Sequence, residues 1–134
     1  MVFHVKHKSV FALRLGQSVY VNFNAINQNE FQRNIKPYLL SISNLKLIQT
    51  KSNFIKCEAS SILNLNQNYS YSSALSANYI IVSNDVPFEL TSNFKTKPLV
   101  IADCSNSYKF VKELKKLCAT LEVPFYSIKE TGTL

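Results

Sequence analysis

Hydrophobic and polar positions alternate with period 2 near the start of the chain and repeat at helical spacing near its end. In residues 10–15, Phe11, Leu13 and Leu15 fall on one side and Arg14 on the other. Val19, Val21 and Phe23 repeat the pattern in residues 18–23. Between them Gly16-Gln17 is a two-residue loop with glycine first, which favours a type II′ hairpin. Residues 2–6 form a further short strand candidate. These segments predict an antiparallel ribbon with one face on the core. In residues 27–40 the period changes. Ile26, Phe31, Ile35 and Leu39 share one face, and Asn27 or Asn29 is placed to cap. Pro37 predicts a short helix that ends near Lys36. Residues 46–49 and 53–57 read as two strands joined by Thr50-Lys51-Ser52, with residues 61–65 extending that meander.

Residues 59–84 carry no charge. Within them, residues 66–78 are almost entirely Asn, Gln, Ser, Tyr and Ala, which reads as a loop or a poorly specified helix over 71–77. Tyr79-Ile-Ile-Val-Ser is a buried-type strand. Asn84-Asp85 is placed to cap a short helix over 86–94, with Pro87 in its first turn. Residues 99–102 form an apolar run expected of a strand buried on both faces. Ser105 and Ser107 are helix-capping types. After them Val111, Leu114, Leu117, Cys118 and Leu121 repeat at helical spacing, while Lys109, Lys112, Lys115, Lys116 and Glu113 fill the other faces. Pro124 ends the pattern, and residues 124–128 read as another strand. The pattern predicts a mixed α/β fold, with N-terminal antiparallel strands leading into a β-α-β-α-β unit of parallel strands with right-handed connections. The 134 residues are expected to form a single domain. Its parts are 1–65, mainly antiparallel strands with one helix; 66–78, a polar loop; and 79–134, the βαβαβ half.

Composition narrows the chemistry. The formal charge is +7, from 15 Lys and Arg against 8 Asp and Glu. That balance suits attraction to nucleic acid or anionic lipid, and equally a solubilising surface. No apolar run approaches the roughly 20 residues of a membrane helix. The start lacks the apolar core of a signal peptide. The chain therefore reads as a soluble piece, one that a larger membrane protein could contain. Three cysteines without Cys-x-x-Cys spacing argue against a disulfide framework or a zinc site. His4 and His7 make no His-x-His or His-x-x-x-His pattern. With only two glycines, no phosphate-loop or dinucleotide fingerprint is present.

The turns after the two apolar strands are the first place to look for chemistry, since open α/β sheets place ligands at the carboxyl ends of strands. Asp85 and Asp103 each follow a strand. Such a pair can hold a divalent ion or do acid–base work, and such residues also cap helices and shape turns. Asn84, Ser105, Asn106 and Ser107 can present polar groups to an anion, or simply cap. Lys109, Lys112 and Lys116 are candidates for nucleic-acid contact, or for a solvated face.

The order Tyr79-Ile-Ile-Val-Ser-Asn-Asp, then Lys97-Pro-Leu-Val-Ile-Ala-Asp-Cys-Ser-Asn-Ser, then Leu117-Cys-Ala-Thr-Leu-Glu-Val-Pro-Phe-Tyr-Ser-Ile-Lys-Glu-Thr-Gly-Thr resembles the tail of ComEC-type competence proteins of the Bacteroidetes kind. The first strands and Gly16 also fit. The resemblance implies a soluble domain of an inner-membrane protein whose channel carries single-stranded DNA inward during transformation. Single-stranded DNA and the channel part of the same polypeptide are then the expected partners, with no small-molecule substrate. Related channels end in a metallo-β-lactamase-like domain, and the layout here looks like a shortened one. In that superfamily a His-x-His-x-Asp-His loop follows a strand. Here the matching strand is followed by Asn84-Asp85-Val86-Pro87, and no histidine occurs after position 7. The resemblance thus implies a degenerate, non-catalytic accessory domain without metal or cofactor. The alternative is a small anion- or metal-binding α/β domain, or a hydrolase, using Asp85, Asp103 and the turn from Ser105 to Ser107.

Overall fold

In the computed structural model the chain forms two sheets; the structure describes all residues except 4, 6, 16, 23–25, 42–45, 51, 58–59, 66–75, 88–93, 95 and 133–134. The fold is mixed α/β, as the hydrophobic pattern predicts. The first sheet has three strands. β1 (Phe11–Leu15) pairs antiparallel with β2 (Ser18–Asn22), with Leu15 opposite Ser18 as a two-residue loop requires. Gly16, and so the turn type, lies outside the described residues. β3 (Lys46–Gln49) runs parallel to β2. Between them lie α1 (Gln28–Asn34) and α2 (Lys36–Leu40).

Local chemistry sets these helices. Asn27 caps α1: its Oδ1 accepts from the Glu30 N–H at 2.9 Å, and Glu30 Oε2 accepts from the Asn27 N–H at 3.1 Å, a reciprocal capping box. The helix ends at Asn34, close to the predicted limit. Pro37 does not end the helical segment but opens a second helix, because a proline in the first turn gives up only an N–H that has no partner there. Phe31, Ile35 and Leu39 pack with Val10, Ala12, Val19 and Val21 of the sheet.

The second sheet has the order β4-β5-β6-β7-β8. β4 (Phe54–Cys57) pairs antiparallel with β5 (Ser60–Leu65). β6 (Tyr79–Val82), β7 (Leu99–Ala102) and β8 (Phe125–Ser127) then continue parallel to β5. α3 (Tyr108–Thr120) connects β7 to β8, and α4 (Ile128–Thr131) follows. The meander expected over 46–65 is corrected here. β3 and β4 do not pair but lie in different sheets, because β3 finds its partner in β2.

Spatial order follows chain order, so right-handed crossovers all return over one face. Ala77 and Phe94, from two such connections, join Val111, Leu114 and Cys118 of α3 on that face. The opposite face is left for other parts of the chain. There Ile81 and Ile101 meet Val2, Phe11, Cys104 and Ile128. Phe11 therefore links the two sheets, while Val10 and Ala12 face the helices on the other side of β1. The ribbon expected to bury one face therefore buries the second as well at Phe11, while Leu13 and Tyr20 further along that face stay half-buried.

Three further expectations are corrected. Among the described residues of 2–6 there are only single bridges, Val2 to Phe11 and Val5 to Lys8, because the chain doubles back through His7, whose φ is 56°. Asn84 and Asp85 do not cap a helix over 86–94: both have positive φ and form a turn, and Val86 and Pro87 are not helical. Residues 88–93, like residues 66–75 of the polar loop, lie outside the described residues, and Phe94 is not helical. β8 is three residues long, because Ile128 already belongs to α4.

Candidate functional site

The ends of β6 and β7 bring together all six residues singled out around the strand-end turns. Two consecutive left-handed residues, Asn84 at φ 57° and Asp85 at φ 52°, turn the chain after Ser83. Asn and Asp tolerate that region better than other side chains with a Cβ. The turn is then stitched to its neighbour. The Asn84 N–H donates to Ser105 Oγ at 2.7 Å, the Asp85 N–H to Asn106 Oδ1 at 2.9 Å, and the Ser107 N–H to Asp85 Oδ1 at 2.6 Å. Ser107 caps α3, accepting from the Phe110 N–H at 3.2 Å.

Asp103 is the centre of this knot and is fully buried. Its Oδ2 accepts from the Ser83 hydroxyl at 2.8 Å. Its Oδ1 accepts from the Ser105 N–H at 2.9 Å, from the Ser105 hydroxyl, and from Asn106 Nδ2 at 3.2 Å. Asn106, also fully buried, donates to the Val82 carbonyl at 2.6 Å. Ser83 Oγ lies 3.0 Å from Asn64 Oδ1 and 3.0 Å from Ser9 Oγ as well. One hydroxyl carries one proton, so Ser83 donates to one acceptor at a time, or the Asn64 amide is turned to donate instead.

These carboxylates therefore serve their own loops. Asp85 bonds the residue that caps α3, and both Asp103 oxygens face donors from the two turns. The sheet order also contains no reversal, so it lacks the topological switch point at which open α/β sheets place ligands. Among the described residues, no group of three His, Cys, Asp or Glu side chains could hold a metal ion. His4 lies outside the described residues, and His7 is exposed in its turn.

Burial keeps nearby thiols protonated. The Cys104 thiol is raised above its ordinary value by burial and then by the Asp103 charge, with Lys129 acting in the opposite sense. Burial pushes Cys118, on the buried face of α3, up to about 11. Sequence reasoning missed Ser83, Asn64 and Ser9 as members of the knot. The signal for Asn64 was present: an amide inside the apolar run Ile62-Leu63-Asn64-Leu65 must find a buried partner.

The second candidate surface is the outward face of α3. Val111, Leu114 and Cys118 are buried, while Leu117, predicted for the same face, lies at its edge and is 36% exposed. Lys109, Lys112 and Lys116 are exposed, and none of them has an ion-pair partner among the described residues. An open groove of about 570 Å³ runs beside the helix, lined by Tyr108, Lys112, Lys115, Lys116, Ala119 and Glu130. Lys115 pairs with Glu130 at 2.8 Å, both ends half-exposed. Lys129 of α4 donates to the Asn106 carbonyl and lies 5.0 Å from the centroid of the Tyr108 ring. The groove contains two of the three lysines proposed from sequence, and adds Tyr108, Lys115 and Glu130. Those additions depend on where α4 packs, which helical periodicity within α3 does not encode.

Among the described residues no helix is long and apolar enough to cross a membrane. No curated protein and no solved structure matches the chain. The model of the ComEC C-terminal domain matches residues 1–134, so the chain belongs to that family, which ties it to competence and DNA uptake.

Proposed function

We propose that this chain is a non-catalytic accessory domain of a membrane DNA-uptake protein, and that it contacts single-stranded DNA through the lysine face of α3. The observation that carries this reading is the clustering of Lys109, Lys112 and Lys116, exposed and without acidic partners among the described residues, on one helix. The other α3 lysine, Lys115, is held by Glu130. Several like charges on a rigid element raise the local potential toward a polyanion. The family context supplies that polyanion. The channel part of the same polypeptide is the second expected partner.

The non-catalytic part of the reading is supported by the strand-end knot, where Asp85 and Asp103 are engaged by the turns themselves. The antiparallel β1–β2 hairpin and the β7-α3-β8 finish support the proposal of a metallo-β-lactamase-like scaffold that has lost its zinc-holding imidazoles.

A salt titration tests the DNA contact. Three phosphate contacts give a slope of log K against log salt of about −2 for a single strand. The Lys109→Gln, Lys112→Gln, Lys116→Gln triple variant is expected to flatten that slope and to lose most of the affinity at low salt. Binding that is absent, or a slope that the triple variant leaves unchanged, overturns the contact.

A further inference from the structure

We infer that the groove between α3 and α4 is a combined site for single-stranded DNA, in which Tyr108 stacks on a base while Lys112 and Lys116 hold the adjacent phosphates. This rests on the DNA contact proposed above and names the group that would read the bases. Tyr108 is 73% exposed, the largest exposure among the big hydrophobic side chains described. It is nonetheless anchored. It opens α3 directly after the Ser107 cap, and the Lys129 ammonium lies 5.0 Å from its ring centroid. Lys129 is itself tied down by its bond to the Asn106 carbonyl. An aromatic ring held in place at the end of a basic groove loses little freedom on stacking, and every base offers a π-face to it.

The groove's charges fit the same occupant. Lys112, Lys115 and Lys116 stand against Glu130 alone. Tyr108, Lys112, Lys116 and Ala119 recur at spacings of three and four along α3, so they share one flank of the helix. Tyr108 and Ala119 lie about 16 Å apart along the axis, room for a few nucleotides. Ala119 leaves the far end unobstructed, and Glu130 opposes the phosphates at one wall. Glu130 thereby limits affinity, while its ion pair with Lys115 keeps one lysine partly neutralised.

The test uses the full chain and two probes. One is an oligothymidylate of about eight nucleotides; the other is an abasic oligonucleotide of the same length, which keeps the phosphates and lacks the bases. The thymidylate is expected to bind roughly tenfold more tightly than the abasic strand. Tyr108→Ala should erase that preference and leave abasic binding and the salt slope unchanged. Tyr108→Phe should preserve it, because stacking needs the ring and not the hydroxyl. Glu130→Gln should tighten both probes. Equal binding of the two probes by the unaltered chain overturns the stacking site, and a normal salt slope in that case leaves the lysine contact standing. A preference that survives Tyr108→Ala also overturns it. Failure of both probes to bind at low salt overturns both readings.

Discussion

At the residue scale, the two aspartates that look alike in sequence do different work. Asp103 is fully buried and gathers donors from Ser83, Ser105 and Asn106. Asp85 is exposed and accepts a single N–H from Ser107. Removing a buried acceptor strands its donors, whereas an exposed one is replaced by water. Asp103→Ala is therefore expected to cost about 2–4 kcal/mol of unfolding free energy, and Asp85→Ala about 0.5–1 kcal/mol. Urea unfolding of the two variants checks this. Equal losses would mean that Asp103 is not the centre of the knot. Sequence placed both residues at strand ends correctly. It could not rank them, because the hydroxyl that distinguishes Asp103, that of Ser83, comes from the end of a different strand and is itself set against Asn64 of β5.

At the element scale, the helices show what local sequence can and cannot say. α3 was legible because Val111, Leu114 and Cys118 keep one face apolar and Ser107 caps it. α1 was legible for similar reasons, through Asn27, Phe31 and Ile35. Asn27→Ala is expected to cost about 1 kcal/mol, read as a lower unfolding midpoint, because the capping box loses its side-chain acceptor. Glu30 has a second tie: its pKa is lowered first by its hydrogen bond to Lys8 and then by the Asn27 N–H. α2 was misread because Pro37 has two meanings, a stop inside a helix and a start at its first turn. The strands 46–49 and 54–57 were found within a residue, yet their pairing was not. Thr50-Lys51-Ser52 looks like a hairpin turn, and nothing local in it says that β3 joins β2.

At the scale of the whole molecule, the parallel sheet needs cover on both faces. α3 and two connections supply one face. The amino-terminal ribbon supplies the other, with Phe11 and Val2 set against Ile81 and Ile101. That arrangement sets Ser9 against Ser83 just after β6, and leaves α3 as a charged outer layer. Phe11→Ala removes the largest side chain linking the sheets and is expected to cost about 3–5 kcal/mol, measured by urea unfolding. A loss under about 1 kcal/mol would show that the sheets are held together elsewhere.

Neighbouring strands of the five-stranded sheet are also neighbours along the chain, so that sheet can assemble by closing one loop after another. Phe11, by contrast, meets Ile81 and Ile101 across about 70 and 90 intervening positions. Closing so wide a loop is an entropic burden that nearby pairings do not carry. Docking of the ribbon then belongs to the late, downhill side of the folding barrier. In stopped-flow experiments Phe11→Ala should speed unfolding by orders of magnitude while leaving the refolding rate almost untouched, and a comparable slowing of refolding would place that contact in the nucleus instead.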